Sequence, residues 1–319
     1  MSRPTRFAAL DGLRGVAAVA VLLFHAATLT KIQLAPGGYL AVDLFFLLSG
    51  FVLAHAYGDK IAKGKLSPAA FATDRLLRFY PLHLLGAALG VLLFLGLLFT
   101  GSTDARPPHE LLILIACAVV FVPLEWFPLN VPAWSLFYEL AVNTVYGTMG
   151  RYATSRKVLW TIAAAALAAL AVLKLIGPAD DVMSVAALQT ARTVFSFFAG
   201  ALLYGMRRPR LRLPSLVLIA TVFLLLVLPL PQGLRPGYDL LCIAVAFPVA
   251  IVLLANSSKS PLDGSYTLLG KGSFPLYAVH YPTLYIANGA ASYTGFDPTI
   301  TAWGTALVIT HPLVIGVNP

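Results

Sequence analysis

The sequence predicts an all-α polytopic integral membrane protein, with about ten transmembrane helices and one re-entrant or interfacial segment. The 319 residues are 59% hydrophobic and only 11% charged, and the mean hydropathy is +0.84. A soluble domain of this size cannot bury so much apolar surface. Apolar runs long enough to cross a bilayer recur from end to end. Basic residues cluster in particular loops, as is typical of a multi-pass protein.

The predicted spans follow one another in a single domain, residues 1–319, with no cleavable leader and no appended soluble domain. The stretch 110–128 is the weakest, because Glu110, Pro123 and Glu125 leave only a short apolar core. We therefore predict that this stretch is re-entrant or interfacial and does not cross. The ten spans are residues 13–30, 38–57, 82–100, 134–150, 157–176, 191–206, 214–231, 237–255, 274–291 and 300–317.

The distribution of positive charge predicts the orientation of the chain. The N-terminus, the 58–80 loop and the 207–212 cluster are rich in lysine and arginine, which places them in the cytoplasm. Both termini are then cytoplasmic, and we expect a multi-pass protein of a bacterial inner membrane. Topology also accounts for the net charge of +9, so no nucleic-acid partner is expected. Cys117 and Cys242 lie in apolar runs, which argues against a disulfide framework.

The first span carries the most informative polar residues, Arg14 and His25. Eleven residues are three helical turns, so both side chains lie on one face, about 16 Å apart along the axis. Ionisable groups are rare in membrane helices and usually have a functional reason.

Three polar residues are predicted to lie at one depth near the outer surface. His25, Asp43 and Glu139 each lie about five residues from the outer end of their spans. A carboxylate beside an imidazole fixes its tautomer and stabilises the imidazolium, which is the usual arrangement of a general base. The alternative is that these are buried polar groups that hold helices together.

A pair of arginines in FATDRLLRFYP lies one helical turn apart, at the same membrane face as Arg14. Guanidiniums at this spacing can clamp a phosphate bidentately, so Arg75 and Arg78 are candidates for binding a phosphate-bearing molecule. Ordinary positive-inside anchoring is the alternative.

Polar side chains also interrupt two later spans. Ser135 lies one turn before Glu139 in a polar stripe. In GSFPLYAVHYP, Tyr277 and His280 share a helical face in the predicted cytoplasmic half of span 274–291. They are either a second polar contact along a channel or satisfied core groups. We predict no metal site.

These motifs together resemble the membrane-bound acyltransferase-3 family of bacterial O-acyltransferases. The resemblance rests on LDGLRG with the Arg14–His25 spacing, GGYLAVDLFFLLSGF, DRLLRFYP, AWSLFYE and SFPLYAVHYP, in the family's order over nearly the whole chain. It implies that an acyl group, often acetyl, moves from cytoplasmic acyl-coenzyme A to a hydroxyl outside the membrane, with His25 as the catalytic residue. It also matches Arg14, Arg75 and Arg78 to the family's arginines, and Asp43 and Glu139 to its acidic positions.

The chain departs from the family pattern in two places. Glu139 is followed by Leu140, where the family usually has a second acid. The sequence ends at Pro319, shortly after the last apolar run, where family members usually continue into a longer helix and a basic tail.

We therefore predict a membrane O-acyltransferase. The resemblance implies that acyl-coenzyme A, often acetyl-coenzyme A, is the donor substrate rather than a bound cofactor, and that the acceptor is an extracytoplasmic glycan or another hydroxyl compound. His25, oriented by Asp43 or Glu139, removes the acceptor's proton; alternatively, the imidazole carries the acyl group transiently. The alternatives to this function are a proton-coupled transporter and an inactive, shortened relative.

Overall fold

The computed structural model of the chain describes residues 7–30, 32–102, 105–123, 127–177, 181–206, 213–295, 297, 300–301, 304–305 and 308. All regular elements in these ranges are helical, which confirms the predicted fold class. The 207–212 cluster lies outside the described residues, and the predicted span 300–317 lies largely outside them. The α-helices are α1 (Ala8–Thr30), α2 (Ala41–Ala62), α3 (Pro68–Phe99), α4 (Pro108–Val119), α5 (Ala133–Thr148), α6 (Arg156–Ile176), α7 (Val182–Tyr204), α8 (Ser215–Val227), α9 (Arg235–Leu241), α10 (Phe247–Ala255) and α11 (Asp263–Thr294).

Six helical segments in the described part of the chain are long and apolar enough to cross a bilayer. Large apolar side chains also lie on the outside of the bundle; Phe99 is 90% exposed and Ile176 is 79% exposed. Lipid accommodates such a surface, whereas water does not. The chain is thus a polytopic membrane protein, while the count of ten spans stays a prediction. The six segments are Ala8–Thr30, Gly38–Ala62, Pro68–Phe99, Arg156–Ile176, Val182–Tyr204 and Gln232–Ala255.

The boundaries of several helices differ from the predicted spans, most of all for α3 and α11. Helix α3 begins at Pro68, 14 residues before the predicted span, and contains Pro81 in its interior. Membrane helices tolerate such a proline because neighbouring groups satisfy the freed backbone. Helix α11 begins at Asp263, 11 residues before the predicted span. Helix α4 has only 12 residues, about 18 Å, which is too short to cross, as predicted for this stretch.

Helices α1 and α11 run parallel and are packed very closely. Gly12 lies against Tyr266, and His25 lies against His280 further along both helices. A Cβ atom on Gly12 would overlap the Tyr266 ring, so the absence of a side chain is what permits this approach. We call the end of the bundle where α1 begins, near Asp11, the arginine end, and the end near His25 the histidine end.

Helix α2 runs antiparallel to α1, because Phe51 packs on Phe7 while Gly38, in the turn just before α2, lies against Phe24. Its other face packs on α7, where Gly50 meets the backbone of Phe197. Helix α2 is the most buried of the candidate spans, and it forms one wall of the interior described below.

Helix α7 begins at a side-chain cap provided by Asp181. The carboxylate accepts hydrogen bonds from the backbone N–H groups of Met183 and Ser184 and from the Ser184 hydroxyl. These bonds lower the pKa of Asp181, because they stabilise its charged form. Helix α6 ends before Gly177, whose φ of +81° is accessible to glycine without strain.

Candidate functional site

A cavity of about 480 Å³ lies inside the bundle between α1, α2, α3, α5 and α11. Its wall along α2 runs from Leu53, toward the arginine end, to Val42, toward the histidine end. A helix rises 1.5 Å per residue, so the cavity is roughly 16 Å long. Its two ends differ in chemistry.

Four basic side chains line the arginine end of the cavity. Arg14 comes from α1, Arg75 and Arg78 from α3, and Lys271 from α11. The structure thus brings together the three arginines that the sequence grouped and adds the lysine. Positive charge from three helices converges on one opening, which suits an anionic ligand.

The two arginines of α3 are held differently. The guanidinium of Arg75 is buried and lies 5.5 Å from the ring centre of Tyr57 and 5.9 Å from that of Phe71. It also donates a hydrogen bond to the exposed carboxylate of Asp74 at 3.3 Å. Arg78 is exposed at the mouth of the cavity. Arg75 is therefore fixed in orientation, whereas Arg78 can move toward a ligand.

Glu139 lies on the wall of this cavity and not beside His25. Its carboxylate accepts a hydrogen bond of 2.7 Å from the hydroxyl of Ser49, six residues or about 9 Å along α2 from Asp43. The predicted common depth of His25, Asp43 and Glu139 is therefore not observed. Asp43 is the third residue of α2, which begins at Ala41 rather than at residue 38, whereas Glu139 is the seventh residue of α5 and therefore lies deeper along its helix.

The histidine end of the cavity is closed by a hydrogen-bonded pair. The hydroxyls of Ser135 and Tyr277 are 2.6 Å apart, so one donates to the other, and both lie within hydrogen-bond distance of the carbonyl oxygen of Pro132, which accepts from the hydroxyl whose proton is left. The ring of Phe45 packs edge-on against Tyr277, with ring centres 5.4 Å apart. Ser135 and Tyr277, separate candidates in the sequence, therefore form one contact.

His25 contacts His280 just beyond this pair. Nδ1 of His25 lies 3.0 Å from Nε2 of His280, and the two rings are tilted by 46° with centres 5.0 Å apart. His280 is buried and lies one helical turn beyond Tyr277, while the ring of His25 also packs against Phe24 and Tyr281. His280 is thus level with His25 at the histidine end. The sequence placed His280 in the first half of its span, whereas it is near the middle of α11, because this helix begins 11 residues before the predicted span.

Asp43 is paired with Arg192 rather than with His25. Nε and Nη2 of Arg192 donate to the two carboxylate oxygens of Asp43 at 3.1 and 2.6 Å. Both side chains are buried, and this bidentate contact joins α2 to α7. The interpretation of Asp43 as the orienting carboxylate of His25 does not agree with this geometry, because the contacts of His25 Nδ1 are the carbonyl of Val21 and Nε2 of His280. A buried charge such as that of Asp43 needs the partner that Arg192 provides.

A second polar contact extends this layer at the histidine end. Asp239 accepts hydrogen bonds from the hydroxyl of Tyr39 at 2.8 Å and from Nζ of Lys174 at 2.5 Å. The carbonyl of Tyr39 accepts in turn from Nη2 of Arg192. These groups satisfy one another and brace four helical segments around the end of the bundle.

Sequence reasoning missed three residues of this interior. These residues are Ser49, which binds Glu139, Lys271 at the arginine end, and Arg192, which binds Asp43. The signal for Arg192 was a charge within an apolar run, the same signal that identified His25. Within the described residues, no three His, Cys, Asp or Glu side chains are grouped so as to hold a metal ion.

Comparison with known proteins identifies related chains. The family model of acyltransferase-3, described as an acyltransferase domain, matches residues 7–317. Acyltransferase MdmB of Streptomyces mycarofaciens is 26% identical over 96% of this chain and 87% of its own length. Exopolysaccharide production protein ExoZ of Rhizobium meliloti is 24% identical over 90% of this chain and 89% of its own. Protein 2 in picA locus of Rhizobium radiobacter is 40% identical over 52% of this chain and 94% of its own. No solved structure matches the chain.

Proposed function

Because the chain belongs to the acyltransferase-3 family, and is thus an acyltransferase, we propose that it moves an acyl group from acyl-coenzyme A to a hydroxyl group on the opposite side of the membrane. The observation that carries the proposal is the cavity, which leads from a cluster of arginines toward a buried histidine pair. Family membership favours this activity over the proton-coupled transporter that polar membrane residues alone would also allow.

The donor's phosphates bind at the arginine end in this proposal. Arg75 is already held by aromatic rings and presents a fixed guanidinium, and Arg78 closes on the ligand from the mouth. Arg14 and Lys271 add charge from the opposite wall. Charge-assisted, bidentate contacts of this kind are among the strong hydrogen bonds in proteins.

The acyl-pantetheine arm extends along the cavity toward the histidine end. The cavity is roughly 16 Å long, which suits an extended chain of that kind. The thioester then reaches Phe45 and Tyr277, one helical turn from His280 and its partner His25. The pair formed by Ser135 and Tyr277 must open, or the arm must pass beside it, for the thioester to reach His25.

The chemistry is an acyl transfer for which the imidazole of His25 serves as general base. The acceptor oxygen attacks the thioester carbonyl while His25 takes the hydroxyl proton; the new C–O bond forms and the C–S bond breaks. The proton then passes from His25 to the departing thiolate, which leaves as free coenzyme A. A route through an acyl-imidazole is the alternative, in which His25 carries the acyl group between donor and acceptor.

We further propose that the arginine end faces the cytoplasm of a bacterial inner membrane. Acyl-coenzyme A is a cytoplasmic metabolite, and the basic loops favour this orientation with both termini inside. The acceptor would then be an extracytoplasmic hydroxyl. The name of the relative ExoZ, an exopolysaccharide production protein, supports a glycan over other hydroxyl compounds.

The proposal is tested by following coenzyme A release from acetyl-coenzyme A by the purified full chain in detergent, with water as a slow acceptor. We expect His25→Ala to lower turnover by ~10²–10⁴-fold, the typical contribution of a general base, while coenzyme A binding is retained. Arg78→Ala should weaken coenzyme A binding by ~10-fold or more, as expected for the loss of a charge-assisted contact.

Two exposed residues provide matched controls for these variants. His109→Ala and Arg151→Ala remove the same side-chain types from the surface and should behave as wild type. If His25→Ala and Arg78→Ala also match wild type, the proposed site is wrong. Calorimetric titration with coenzyme A supplies a second readout: a wild-type chain that neither binds nor turns over the donor would favour the inactive relative.

A further inference from the structure

The protonation of His280 follows from its hydrogen bonds. Its Nδ1 lies 2.9 Å from the carbonyl oxygen of Tyr277 and 3.2 Å from that of Leu276. Carbonyl oxygens only accept hydrogen bonds, so Nδ1 of His280 must carry a proton. In the neutral ring, Nε2 then has a lone pair, and this nitrogen faces His25 at 3.0 Å.

The same reasoning applied to His25 gives a matching result. Its Nδ1 lies 3.1 Å from the carbonyl oxygen of Val21 and 3.0 Å from Nε2 of His280, and both of these atoms are acceptors. Nδ1 of His25 is therefore the donor to both. Two independent sets of backbone carbonyls thus lead to the same tautomer of His25, with the proton on Nδ1 and the lone pair on Nε2.

We propose that His280 is the positioning residue of the catalytic histidine, which it holds in the Nδ1–H tautomer so that Nε2 is the base. This inference rests on the proposed function. In many catalytic triads a carboxylate orients the base and accepts a hydrogen bond from the imidazolium that forms. Here the neutral imidazole of His280 does both. Asp43 does not take this role, because it pairs with Arg192, while Nδ1 of His25 contacts the carbonyl of Val21 and His280.

The backbone around His280 is fixed in a way that supports a positioning role. Pro282 has no N–H, so the carbonyl of Ala278 loses its helical donor four residues on. The side chain of Asn130 replaces that donor, with Nδ2 at 2.8 Å from the Ala278 oxygen. Both residues of this contact are buried. The turn of α11 that carries His280 is therefore held from outside the helix at the point where its own hydrogen bonding is interrupted.

His280 itself is poorly placed to act on substrate. Its ring is 1% exposed, both of its nitrogens have partners, and it does not line the cavity. Substitution of His280 should therefore change kcat through His25 and leave the KM for the donor unchanged. A residue that contacts the donor would alter both.

The first test reads the tautomer directly on the unaltered protein. The full chain is labelled with ¹⁵N-histidine, and the ring nitrogens of His25 are identified among the six histidines by their loss in His25→Gln. We expect a protonated Nδ1 and an unprotonated Nε2. A protonated Nε2 with a bare Nδ1 would overturn the proposal whatever the activity of the protein.

The second test uses two substitutions that differ in one hydrogen-bond acceptor. His280→Gln retains an oxygen near the position of Nε2, whereas His280→Leu fills similar space without an acceptor. We expect kcat to fall by ~10–100-fold in His280→Leu, with coenzyme A binding kept, and to recover at least partly in His280→Gln. The His25 signals in His280→Leu should show the Nε2–H tautomer populated.

The outcomes separate this proposal from the proposed function. If His25→Ala abolishes turnover while His280→Leu and His280→Gln remain fully active, His25 is the base and His280 does not position it. If His25→Ala stays active, the proposed function fails, and the tautomer measured by NMR still decides whether His280 sets the protonation of His25. Equal losses in His280→Leu and His280→Gln, with the His25 tautomer unchanged, would also contradict the positioning role.

Discussion

Arg192 of α7 donates two hydrogen bonds to Asp43 of α2, from Nε at 3.1 Å and from Nη2 at 2.6 Å. Both side chains are buried, and the guanidinium of Arg192 lies 5.9 Å from the ring centre of Trp134. Asp43, which matches an acidic position of the family motif, therefore holds α2 against α7. The structure favours stability, rather than proton transfer, as the role of Asp43.

The Asp43–Arg192 pair predicts a large cost for removing one partner alone. Asp43→Asn leaves a buried guanidinium without its counter-charge, and we expect the free energy of unfolding to fall by ~3–5 kcal/mol. Replacing both residues, as Asp43→Leu with Arg192→Met, should recover most of that loss, because no buried charge remains. Unfolding of wild type, Asp43→Leu, Arg192→Met and the double variant in detergent, measured as a double-mutant cycle with Asp43→Asn beside it, checks this prediction. An Asp43→Asn protein of normal stability that no longer transfers acyl groups would instead support a catalytic Asp43.

Glu139 offers a test of charge in the cavity. In Glu139→Gln the amide oxygen can still accept from Ser49, so the wall keeps its shape while a negative charge is lost. We expect coenzyme A to bind ~3–10-fold more tightly at low salt, because the arginine end becomes more positive, and the gain should shrink as salt is added. Calorimetric titration at two ionic strengths measures both effects.

Asp74→Asn is the matched control for Glu139. This carboxylate is 65% exposed and pairs with Arg75 from outside the cavity, so its removal should change donor affinity less. A fall of ~10²–10⁴-fold in kcat for Glu139→Gln, with donor affinity unchanged, would restore the earlier hypothesis that Glu139 orients His25.

The fold class was predictable from the sequence because apolar runs and their length determine it. Helix ends were harder to predict, since a proline such as Pro81 marks a helix boundary in a soluble chain but lies inside α3 here. The closest helix contacts also depend on single glycines. Gly12 and Gly50 are unremarkable in sequence, and only the tertiary structure shows that a neighbouring helix occupies the space of a side chain.

Most of the individual residues of the site were predictable from the sequence, but the contacts between their side chains were not. The three arginines of the arginine end were predictable as a group, because Arg75 and Arg78 lie one helical turn apart and the basic loops put Arg14 at the same membrane face. The partner of His25 was not predictable, because the register of α1 against α11 decides it, and no local pattern encodes that register. A carboxylate is the common partner of a catalytic histidine and was therefore the expected one. In this protein, His280 takes the place of that carboxylate beside His25.

The contact between α2 and α7 predicts a steric effect at Gly50. A Cβ atom at this position would overlap the carbonyl oxygen of Phe197, which is backbone and cannot move aside. We therefore expect Gly50→Ala to destabilise the protein by ~2 kcal/mol or more, as overpacking does. Gly96→Ala is the control, because it lies within α3 with open space around it and should be neutral or stabilising by ~0.5–1 kcal/mol. Thermal unfolding in detergent compares the two; equal behaviour would contradict the close packing.

Phe45 predicts how the protein selects the length of the acyl chain. Its ring closes the histidine end of the cavity against Tyr277, where the proposed path places the acyl group. Phe45→Ala opens space there, and burial of the two extra methylenes of a butyryl group is worth ~0.8 kcal/mol each, so kcat/KM for butyryl- relative to acetyl-coenzyme A should rise about tenfold. Val52→Ala shortens a side chain further toward the arginine end of the same wall and should leave the ratio unchanged. If instead Val52→Ala raises the ratio and Phe45→Ala does not, the acyl group lies near the arginines, and the donor enters in the opposite direction.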